Sequence, residues 1–380
     1  MENQPQTQSR TLFDENQVGD IKLRNRIVMA SLTRLRCDQK TGVPTDMHVK
    51  YYAQRARGAG LIITESAPIS HVGQAQLGAG CIYTEEQTEG WRKVVEAVHK
   101  ENCPIVLQLW HGGRASHPLL IGQQNIAPSP IALRAVLRSK NVPHETPKEM
   151  TLEDIAQVRT EFKQAAINAK KAGFDGVEVQ AANGYLVDQF LRSATNQRTD
   201  DYGGSVEKRA RFCLEVIDDL IEVYGKGRVG IKISPVGRSM DMYDEDPKAT
   251  FSYLLSELDK RGIAFIQMME PGQMLSEIKF KIPTYYPPGN EQIENVAKTF
   301  RPYFSGTIIT NMRHTPETAL EVIKNGDADL VSFGRLFIGN PDLPERIKNG
   351  WALAEFDDST LYGGNEKGYS DYADYVVMSE

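Results

Sequence analysis

The sequence predicts a single-domain α/β protein folded as a TIM (β/α)8 barrel with long loops at the strand exits. Short strands rich in Val, Ile and Leu alternate with amphipathic helices, and eight such units follow one another. The strands are apolar on both faces, as expected for a parallel sheet covered by helices. A doubly wound sheet is the alternative, and it is disfavoured because no Gly-rich dinucleotide-binding loop follows an early strand.

Each unit can be assigned from the pattern of apolar residues. The strands are predicted at Arg26–Ala30, Leu61–Thr64, Ile105–Leu109, Gly176–Val179, Val229–Ile233, Phe265–Met269, Thr307–Ile309 and Leu330–Phe333. The helices are predicted at Thr45–Ala56, Glu86–Lys100, Thr151–Ala172, Val206–Tyr224, Pro247–Arg261, Glu291–Thr299, Thr315–Asn325 and Leu343–Asn349. We expect residues 11–380 to form one barrel domain, preceded by a polar, disordered tail at 1–10.

Several helices carry recognisable start and stop signals. Thr151 and Asp154 have the spacing of a capping box, in which each side chain bonds the backbone N–H of the other residue. Gly173, Gly262 and Gly326 each end a predicted helix shortly before the next strand, since glycine readily adopts the left-handed conformation of a helix stop. These signals support the assigned order of elements.

Two longer connections interrupt the pattern, at Gly112–Met150 and Glu270–Asn290. The first contains several prolines and is predicted to carry a small hairpin or cap. Long loops at the strand exits of a barrel are where lids form, so both are interpreted as covers on the substrate side. The alternative is that they are plain surface linkers.

The composition indicates an enzyme that acts on small molecules. The 380 residues include 44 basic and 50 acidic residues, which gives a net charge of −6 without a basic block. This balance argues against nucleic acid or an anionic membrane as a partner. No run approaches the ~18 apolar residues of a spanning helix, and the polar N-terminus lacks the apolar region of a signal peptide.

The cysteines are widely separated. Cys37, Cys81, Cys103 and Cys213 form no CxxC pair and have no zinc-like spacing to a histidine, so no metal site is predicted. Free thiols and a cytoplasmic location are expected. The sequence leaves the oligomeric state open between monomer and homodimer.

The most informative stretch covers Phe174–Arg211. It begins with a β-branched strand, continues with the polar and aromatic side chains of Gln180, Asn183 and Tyr185, and ends in a block rich in Arg, Asp and paired Gly. It resembles the Old Yellow Enzyme family pattern HSANGYLLxQFL followed by NxRTDxYGGSxExRxRF. The second half is nearly unaltered at Asn196–Phe212, whereas Gln180 stands where the family has His.

The resemblance implies an FMN-containing oxidoreductase. Such an enzyme takes hydride from NADPH or NADH and delivers it to the C=C bond of an α,β-unsaturated carbonyl compound in a ping-pong cycle. The nicotinamide would bind against FMN in the same cavity, which agrees with the lack of a separate dinucleotide-binding loop. Within the family, an electron-poor nitro compound or nitrate ester is the alternative electron acceptor.

Motifs at the strand exits match the family's FMN-binding residues. By that resemblance, Thr33 contacts flavin O4, while Gln108 and Lys232 contact the pyrimidine side, with Lys232 in place of the usual Arg. The phosphate is expected at Gly334 and Arg335, within the family motif F-G-R-x-F-I. The predicted cofactor-binding set is Thr33, Ser66, Gln108, Lys232, Asn311, Gly334 and Arg335.

The ene-reduction implied by the resemblance needs hydrogen-bond donors on the substrate carbonyl and a weak acid above the alkene. Gln180 and Asn183 match the donor pair, and Tyr185, a neutral phenol near pH 7, matches the proton donor. These three are the predicted catalytic residues. Trp110 and Tyr362 are expected to join Gln180 and Asn183 as substrate-binding residues.

Three departures from the family pattern keep other functions open. Gln180 can donate a hydrogen bond but cannot become cationic, Lys232 lacks the planar fork of Arg, and Thr310 replaces a Gly of the phosphate turn. A flavin-binding barrel with weak turnover is one alternative. A Schiff-base lyase that uses Lys232 is another, although it leaves Thr33 and Gln108 without a role.

Overall fold

The structure is a computed structural model that describes residues 10–137, 139–272 and 293–377. Its central strands are β1 (Ile27–Met29), β2 (Leu61–Pro68), β3 (Ile105–Trp110), β4 (Gly176–Ala181), β5 (Val229–Ile233), β6 (Phe265–Met269), β7 (Thr307–Asn311) and β8 (Leu330–Phe333). Each strand pairs in parallel with the next in chain order, and β8 pairs with β1 to close the barrel. The predicted TIM-barrel fold is confirmed.

Helices connect the strands and cover the outside of the barrel. They are α1 (Asp46–Ala56), α2 (Glu85–Lys100), α3 (Leu152–Ala172), α4 (Val206–Tyr224), α5 (Pro247–Arg261), α6 (Val296–Phe300), α7 (Pro316–Asn325) and α8 (Leu343–Asn349). Shorter helices lie at Pro118–Ile121, Leu186–Leu191 and Arg335–Gly339. The apolar helix faces pack on the strands in a continuous core that includes Trp91, Phe162 and Phe251. Burial of this apolar surface is the main favourable contribution to folding.

The predicted helix start and stop signals are confirmed. Thr151 Oγ1 accepts a hydrogen bond from the Asp154 N–H at 3.1 Å, and Asp154 Oδ2 accepts one from the Thr151 N–H at 2.9 Å. Gly173, Gly262 and Gly326 end α3, α5 and α7 with φ angles of 94°, 63° and 74°. Residues that carry a Cβ are strained in this left-handed region, which explains glycine at these stops.

The predicted helix Glu291–Thr299 begins later than expected, at Val296. Glu270, which follows the end of β6, explains the difference. Its carboxylate accepts hydrogen bonds from the backbone N–H groups of Val296 and Ala297 at 2.7 and 2.9 Å. The first donors of α6 are therefore satisfied by a distant side chain, a pairing that local sequence does not reveal. Residues 291 and 292 lie outside the described residues.

Some strands run further than predicted. β2 continues beyond Thr64 to Pro68, and its register with β3 shifts between Ile63 and Ser66. β4 includes Gln180, predicted in the following turn, and pairs it with Lys232 of β5. Polar side chains at these strand ends face the mouth of the barrel while their backbone stays in the ladder, so polarity alone does not mark the strand end.

A short hairpin lies at the N-terminal end of the barrel. Asn16–Val18 pairs antiparallel with Ile21–Leu23. Its apolar side chains join a cluster inside the barrel that includes Val28, Phe265 and Leu330. This end of the barrel is therefore filled with side chains. The hairpin was not predicted, because three-residue strands carry too little pattern to be recognised in the sequence.

The connection Gly112–Met150 contains the predicted small hairpin, in which Val136–Leu137 pairs antiparallel with Val142–Pro143. The second predicted cover, Glu270–Asn290, lies outside the described residues from position 273 onward. The predicted tail at 1–10 also lies outside them, except for Arg10.

The C-terminal part of the chain returns to the loop that follows β1. Arg34 donates hydrogen bonds to the carbonyl oxygens of Leu361 and Gly368 at 2.8 and 2.7 Å. Arg36 donates to the carbonyl of Thr360 at 2.6 Å. The Tyr369 ring nearby stacks on that of Tyr51 of α1, with centroids 3.8 Å apart. The loop that carries Thr33 is therefore held by residues more than 300 positions later in sequence.

The four cysteines are free, as predicted, and all of them are buried. Over the parts of the chain that the structure describes, none of the helices has both the length and the apolar character needed to cross a bilayer.

Candidate active site

A cavity of about 330 Å³ opens at the C-terminal ends of the barrel strands. This is the end at which TIM-barrel enzymes carry their active sites, and the volume is typical of a small-molecule site. Most of the predicted site residues line it, namely Thr33, Ser66, Gln180, Asn183, Tyr185, Lys232, Asn311, Gly334, Arg335 and Tyr362. Gln108 and Trp110 do not.

Gln108 lies directly behind the cavity wall and is fully buried. Its Oε1 accepts hydrogen bonds from the hydroxyls of Ser31, at 2.7 Å, and Ser66. Its Nε2 donates to Glu178 Oε1 at 2.6 Å. Two hydroxyls fix which end of the amide accepts, so the second Nε2 hydrogen is the group that remains for a bound ligand.

Trp110 also lies behind the wall, where it packs against Tyr185. The two ring centroids are 5.0 Å apart with an interplanar angle of 81°, an edge-to-face arrangement. Trp110 is 1% exposed, so it supports the Tyr185 ring rather than lining the cavity itself. Its Nε1 has no hydrogen-bond partner among the described residues.

Asn183 and Gln180 reach the same cavity from β4 and the turn that follows it. Asn183 has a φ of 61°, a left-handed conformation that Asn tolerates better than most residues. Its backbone N–H donates to Ser234 Oγ at 3.0 Å, which ties the turn to the end of β5. Gln180 Oε1 is buried without a hydrogen-bond partner in the described chain, so the NH₂ end of this amide is left to face the cavity.

A buried ion pair holds the Asn183–Tyr185 turn. Asp188 Oδ2 accepts a hydrogen bond from the Gly184 N–H at 3.0 Å, and Asp188 Oδ1 pairs with Arg192 Nε at 2.8 Å. Arg192 also donates to the carbonyls of Ser234 and Pro235. Burial raises the pKa of Asp188, while Arg192 acts in the opposite direction. The pair thereby fixes the turn relative to the end of β5.

Lys232 extends from β5 into the barrel beside Gln180 and is 4% exposed. Burial lowers its pKa, and the negative charge of Glu178 opposes that shift. Burial likewise raises the pKa of Glu178 to about 7, against the effect of Lys232. Because a buried ammonium group is costly without an anionic partner, this position is suited to a ligand that carries or develops negative charge.

Positively charged side chains that suit a phosphate lie at the exits of β7 and β8. Gly334 and Arg335 line the cavity there, and Arg313 joins them. Burial and the nearby Arg313 lower the pKa of Arg335, which indicates two guanidinium groups close together. Gly334 gives the backbone room, since an added Cβ would lie 3.1 Å from Leu32 Cδ2. Two guanidinium groups close together are well suited to bind a phosphate.

Thr310, which stands in place of a family Gly, does not line the cavity. Its hydroxyl donates to Glu270 Oε1 at 3.2 Å and lies 3.0 Å from His314 Nε2. The side chain of the next residue, Asn311, donates to Ser332 Oγ at 2.7 Å. The substitution therefore alters the packing behind the β7 exit and leaves the cavity open at the phosphate end.

Several residues that line the cavity were not predicted from the sequence, including Gln76, Met240, Met269 and His314. Met240 has a φ of 56° and lies in the loop after β5. Loops carry no hydrophobic period, so no signal in a single sequence identifies such positions.

His111 is buried and does not line the cavity. Its Nδ1 accepts a hydrogen bond from the Gly113 N–H at 3.1 Å, which leaves the proton on Nε2. Burial lowers its pKa to about 3. The ring is therefore neutral at ordinary pH.

Cys37, His48 and Glu65 form a buried cluster that their sequence spacing does not suggest. His48 Nδ1 accepts a hydrogen bond from the Thr45 N–H at 3.1 Å, so the ring proton lies on Nε2, which is 3.1 Å from Cys37 Sγ. A metal would need that nitrogen unprotonated. The cluster is therefore better explained as a helix cap of α1 with an internal hydrogen bond.

These residues fit an FMN group. Amide, hydroxyl and ammonium groups meet at one part of the cavity, as a flavin pyrimidine edge requires, and the paired guanidinium groups at the β7 and β8 exits suit a phosphate. Glu178 Oε2 and Gln180 Oε1 are orphaned polar atoms nearby, within the described residues. Fold and site together define a barrel oxidoreductase of the flavin-dependent class.

Comparison with known proteins identifies the family. Residues 11–354 match the NADH:flavin oxidoreductase / NADH oxidase family. The chain is 39% identical to the flavin oxidoreductase hxnT of Emericella nidulans, over 95% of this chain and 97% of that protein. It is 40% identical to a probable flavin mononucleotide-dependent alkene reductase of Leishmania infantum, over 93% and 95%. A solved structure of morphinone reductase matches with a TM-score of 0.88 and 41% identity, covering 97% of each chain. The chain belongs to this family, the Old Yellow Enzyme family of FMN-dependent NAD(P)H oxidoreductases.

Proposed function

We propose that this chain reduces the C=C bond of α,β-unsaturated carbonyl compounds, with Tyr185 as the proton donor. The observation that carries the proposal is that Gln180, Asn183 and Tyr185 line the same cavity as Lys232 and Arg335. The relatives named as an alkene reductase and morphinone reductase support an electron-poor alkene as the substrate.

The cofactor is held by residues at the ends of the cavity. Bound FMN supplies the chemistry that accepts hydride from NAD(P)H and returns it to the alkene. Thr33, Ser66 and Lys232 would contact the ring system, with Gln108 behind them, and Lys232 would balance the charge that develops on reduction. Gly334 and Arg335, with Asn311 beside them, would bind the phosphate.

Gln180 and Asn183 would polarise the substrate carbonyl. Each side chain ends in an amide NH₂, and a donor aimed at the carbonyl oxygen stabilises the negative charge that this oxygen gains. The Asp188–Arg192 pair fixes the turn between β4 and the following helix, so Asn183 is held in place before substrate binds. Neither amide carries a charge, so this polarisation does not depend on pH.

Tyr185 would deliver a proton to the α carbon as hydride reaches the β carbon. Its ring is supported by Trp110, which limits the directions in which the hydroxyl can point. General-acid catalysis of this kind contributes on the order of 10²–10⁴ in rate. One proton and one hydride complete the reduction of the C=C bond.

The test separates the two half-reactions in anaerobic stopped-flow measurements. Purified protein should be yellow, lose its colour with NADPH, and regain it with 2-cyclohexenone. Tyr185→Phe should slow recolouring on the order of 10²-fold or more, and leave the NADPH step unchanged. Tyr224→Phe, which removes a buried hydroxyl bonded to the Phe174 carbonyl, is the matched control and should change neither step.

The outcomes distinguish the alternatives. Equal loss of both half-reactions in Tyr185→Phe would contradict the role given to Tyr185. A yellow protein that NADPH reduces but no alkene reoxidises would indicate a flavin-binding barrel with weak turnover. If a nitro compound reoxidises the Tyr185→Phe protein at the normal rate while 2-cyclohexenone does not, the variant has lost only proton delivery to carbon.

A further inference from the structure

Glu178 is a buried carboxyl group to which the proposed mechanism gives no role. It lies on β4 with no solvent exposure. Its Oε1 accepts one hydrogen bond, from Gln108 Nε2 at 2.6 Å. Its Oε2 is buried and has no hydrogen-bond partner among the described residues. A buried carboxylate normally has several donors, so this one is poorly stabilised in its charged form.

The contacts of Glu178 lead to the cavity. Gln108, its hydrogen-bond partner, accepts bonds from Ser31 and Ser66, and both of these serines line the cavity. Since the Gln108 oxygen is occupied by two hydroxyls, its NH₂ group has to donate, and Glu178 is the acceptor that fixes it. Along this route Glu178 is therefore separated from the cavity by two side chains, Gln108 and a serine.

Lys232 is the second connection. It lines the cavity, and it is the charged group that acts on Glu178 from the neighbouring strand β5. From β3, the facing group is the neutral amide of Gln108. Within the described chain, the ammonium group of Lys232 is thus the positive charge that acts both on Glu178 and on a ligand bound in the cavity.

We propose that Glu178 takes up a proton when the bound cofactor is reduced. The single positive charge of Lys232 then does not have to balance two negative charges in the buried site. This inference rests on the proposed function, because it requires FMN in the cavity beside Lys232. Glu178 is a positioning residue in this scheme, since it acts through Gln108 and Lys232 and does not touch the cofactor.

The electrons and protons balance over the cycle. NAD(P)H transfers a hydride, which is two electrons and one proton, and the cofactor site gains one negative charge. Glu178 binds one proton from solvent and neutralises that charge. When the alkene accepts the hydride and Tyr185 supplies the second proton, the site loses its added charge, Glu178 releases its proton to solvent, and Tyr185 regains one from solvent. Glu178 therefore leaves the overall stoichiometry unchanged.

The pKa of Glu178, raised to about 7 by burial, sets the pH range of the test. Above that pH the carboxyl is ionised before reduction and protonated after it. For a two-electron couple, each proton taken up contributes about 30 mV per pH unit to the slope of the midpoint potential. We expect about 60 mV per pH unit just above pH 7 in the unaltered protein, and half that slope below it.

Glu178→Gln cannot take up the proton. The slope of its midpoint potential should therefore be that of a single proton, about 30 mV per pH unit, both below and above pH 7. Glu65→Gln is the matched control: Glu65 is another buried carboxyl with a pKa raised to about 7, but Arg34 and Arg36 are its charged neighbours and Lys232 is not. It should keep the two-proton slope above pH 7. Equal slopes in the unaltered protein and Glu178→Gln would overturn the proposal.

A second measurement uses the unaltered holoprotein and does not depend on a variant that folds. Reduction above pH 7 should produce the infrared C=O band of a protonated carboxyl, and its absence would overturn the proposal. Failure of the proposed function can be distinguished from failure of the role given to Glu178. A protein that refuses FMN refutes both, whereas a yellow protein that reduces alkenes with a single-proton slope refutes only the role of Glu178.

Discussion

The indole ring of Trp110 meets the phenol ring of Tyr185 edge to face, with centroids 5.0 Å apart. Trp110 is almost fully buried, whereas Tyr185 lines the cavity. A residue that does not line the cavity thus supports the ring whose hydroxyl would deliver the proton. Aromatic pairs of this kind contribute about 0.5–1.5 kcal/mol beyond the area that they bury.

We therefore expect Trp110→Ala to slow reoxidation of the reduced enzyme by 2-cyclohexenone roughly 2- to 12-fold, the rate equivalent of that pair energy. Reduction by NADPH should be unaffected. Trp110→Phe keeps an aromatic edge and should retain most of the rate. Stopped-flow absorbance measures both half-reactions, and a loss confined to the NADPH step would refute this role.

Gln180→His tests whether position 180 reaches the substrate carbonyl. Imidazole is stiffer than the Gln amide, so the donor should be better oriented and enone turnover should rise, by up to 10²-fold if a well-placed oxyanion donor is restored. Gln180→Leu removes the donor and should reduce kcat/KM. An unchanged rate in both variants would show that the side chain does not contact the substrate.

Arg335→Met should weaken FMN binding and leave riboflavin binding unchanged, because riboflavin lacks the phosphate. A hydrogen bond to a charged group is worth about 1.5–3 kcal/mol, which corresponds to a 10- to 150-fold increase in the FMN Kd. Fluorescence quenching of either flavin by apoprotein measures the Kd. Equal weakening of both flavins would mean that the substitution disturbs the cavity rather than a phosphate contact.

The stability of the protein should fall on the acid side partly because of His48. Burial lowers its pKa to about 4. In the unfolded chain it binds a proton below pH 6.5, while in the folded chain it does not until about pH 4. Its contribution is therefore complete above pH 6.5 and is lost as pH falls toward 4.

His48→Gln removes this titration and keeps a capping-box acceptor for Thr45. The difference in unfolding free energy between pH 7 and pH 5 should shrink by ~2 kcal/mol in this variant. His48→Ala also removes the titration but loses the cap, so it should be less stable at pH 7 by about 0.5–2 kcal/mol. Denaturant titration at the two pH values measures each effect.

The Arg192–Asp188 pair should be important for stability. Arg192→Met leaves Asp188 as a buried, uncompensated charge, which costs about 3–5 kcal/mol. Arg159 pairs with Asp219 at 2.8 Å near the surface, so Arg159→Met is the control and should cost ~1 kcal/mol or less. Similar losses for both variants in denaturant unfolding would contradict the distinction between a buried and a surface pair.

The order of elements in the barrel could be predicted from the sequence because each unit carries local signals. The Thr151–Asp154 capping box and the glycine stops at 173, 262 and 326 lie where expected. The start of α6 could not be predicted, since it depends on Glu270 from another element. Local rules identify helices well, but they fail where a distant side chain satisfies the terminal backbone groups.

The candidate site likewise contains residues that local sequence signals identify and residues that they do not. Residues such as Lys232 and Arg335 could be predicted as cavity residues because they lie at strand exits within recognisable motifs. Met240 could not, since its loop position depends on a left-handed backbone that no pattern signals. The placement of Gln108 behind Ser31 and Ser66 also required the structure, because side-chain hydrogen bonds across strands leave no trace in sequence spacing.

The carbonyl groups that bind Arg34 and Arg36 belong to the last part of the chain. During synthesis, the segment with Thr33 therefore leaves the ribosome long before its partners exist. We expect the nascent chain to load its cofactor only after Thr360, Leu361 and Gly368 have left the ribosome, even if the strands assemble earlier. Ribosome-bound chains halted before Leu361 should bind less FMN than chains whose residues 360–368 have left the ribosome, and equal binding would refute this order of maturation.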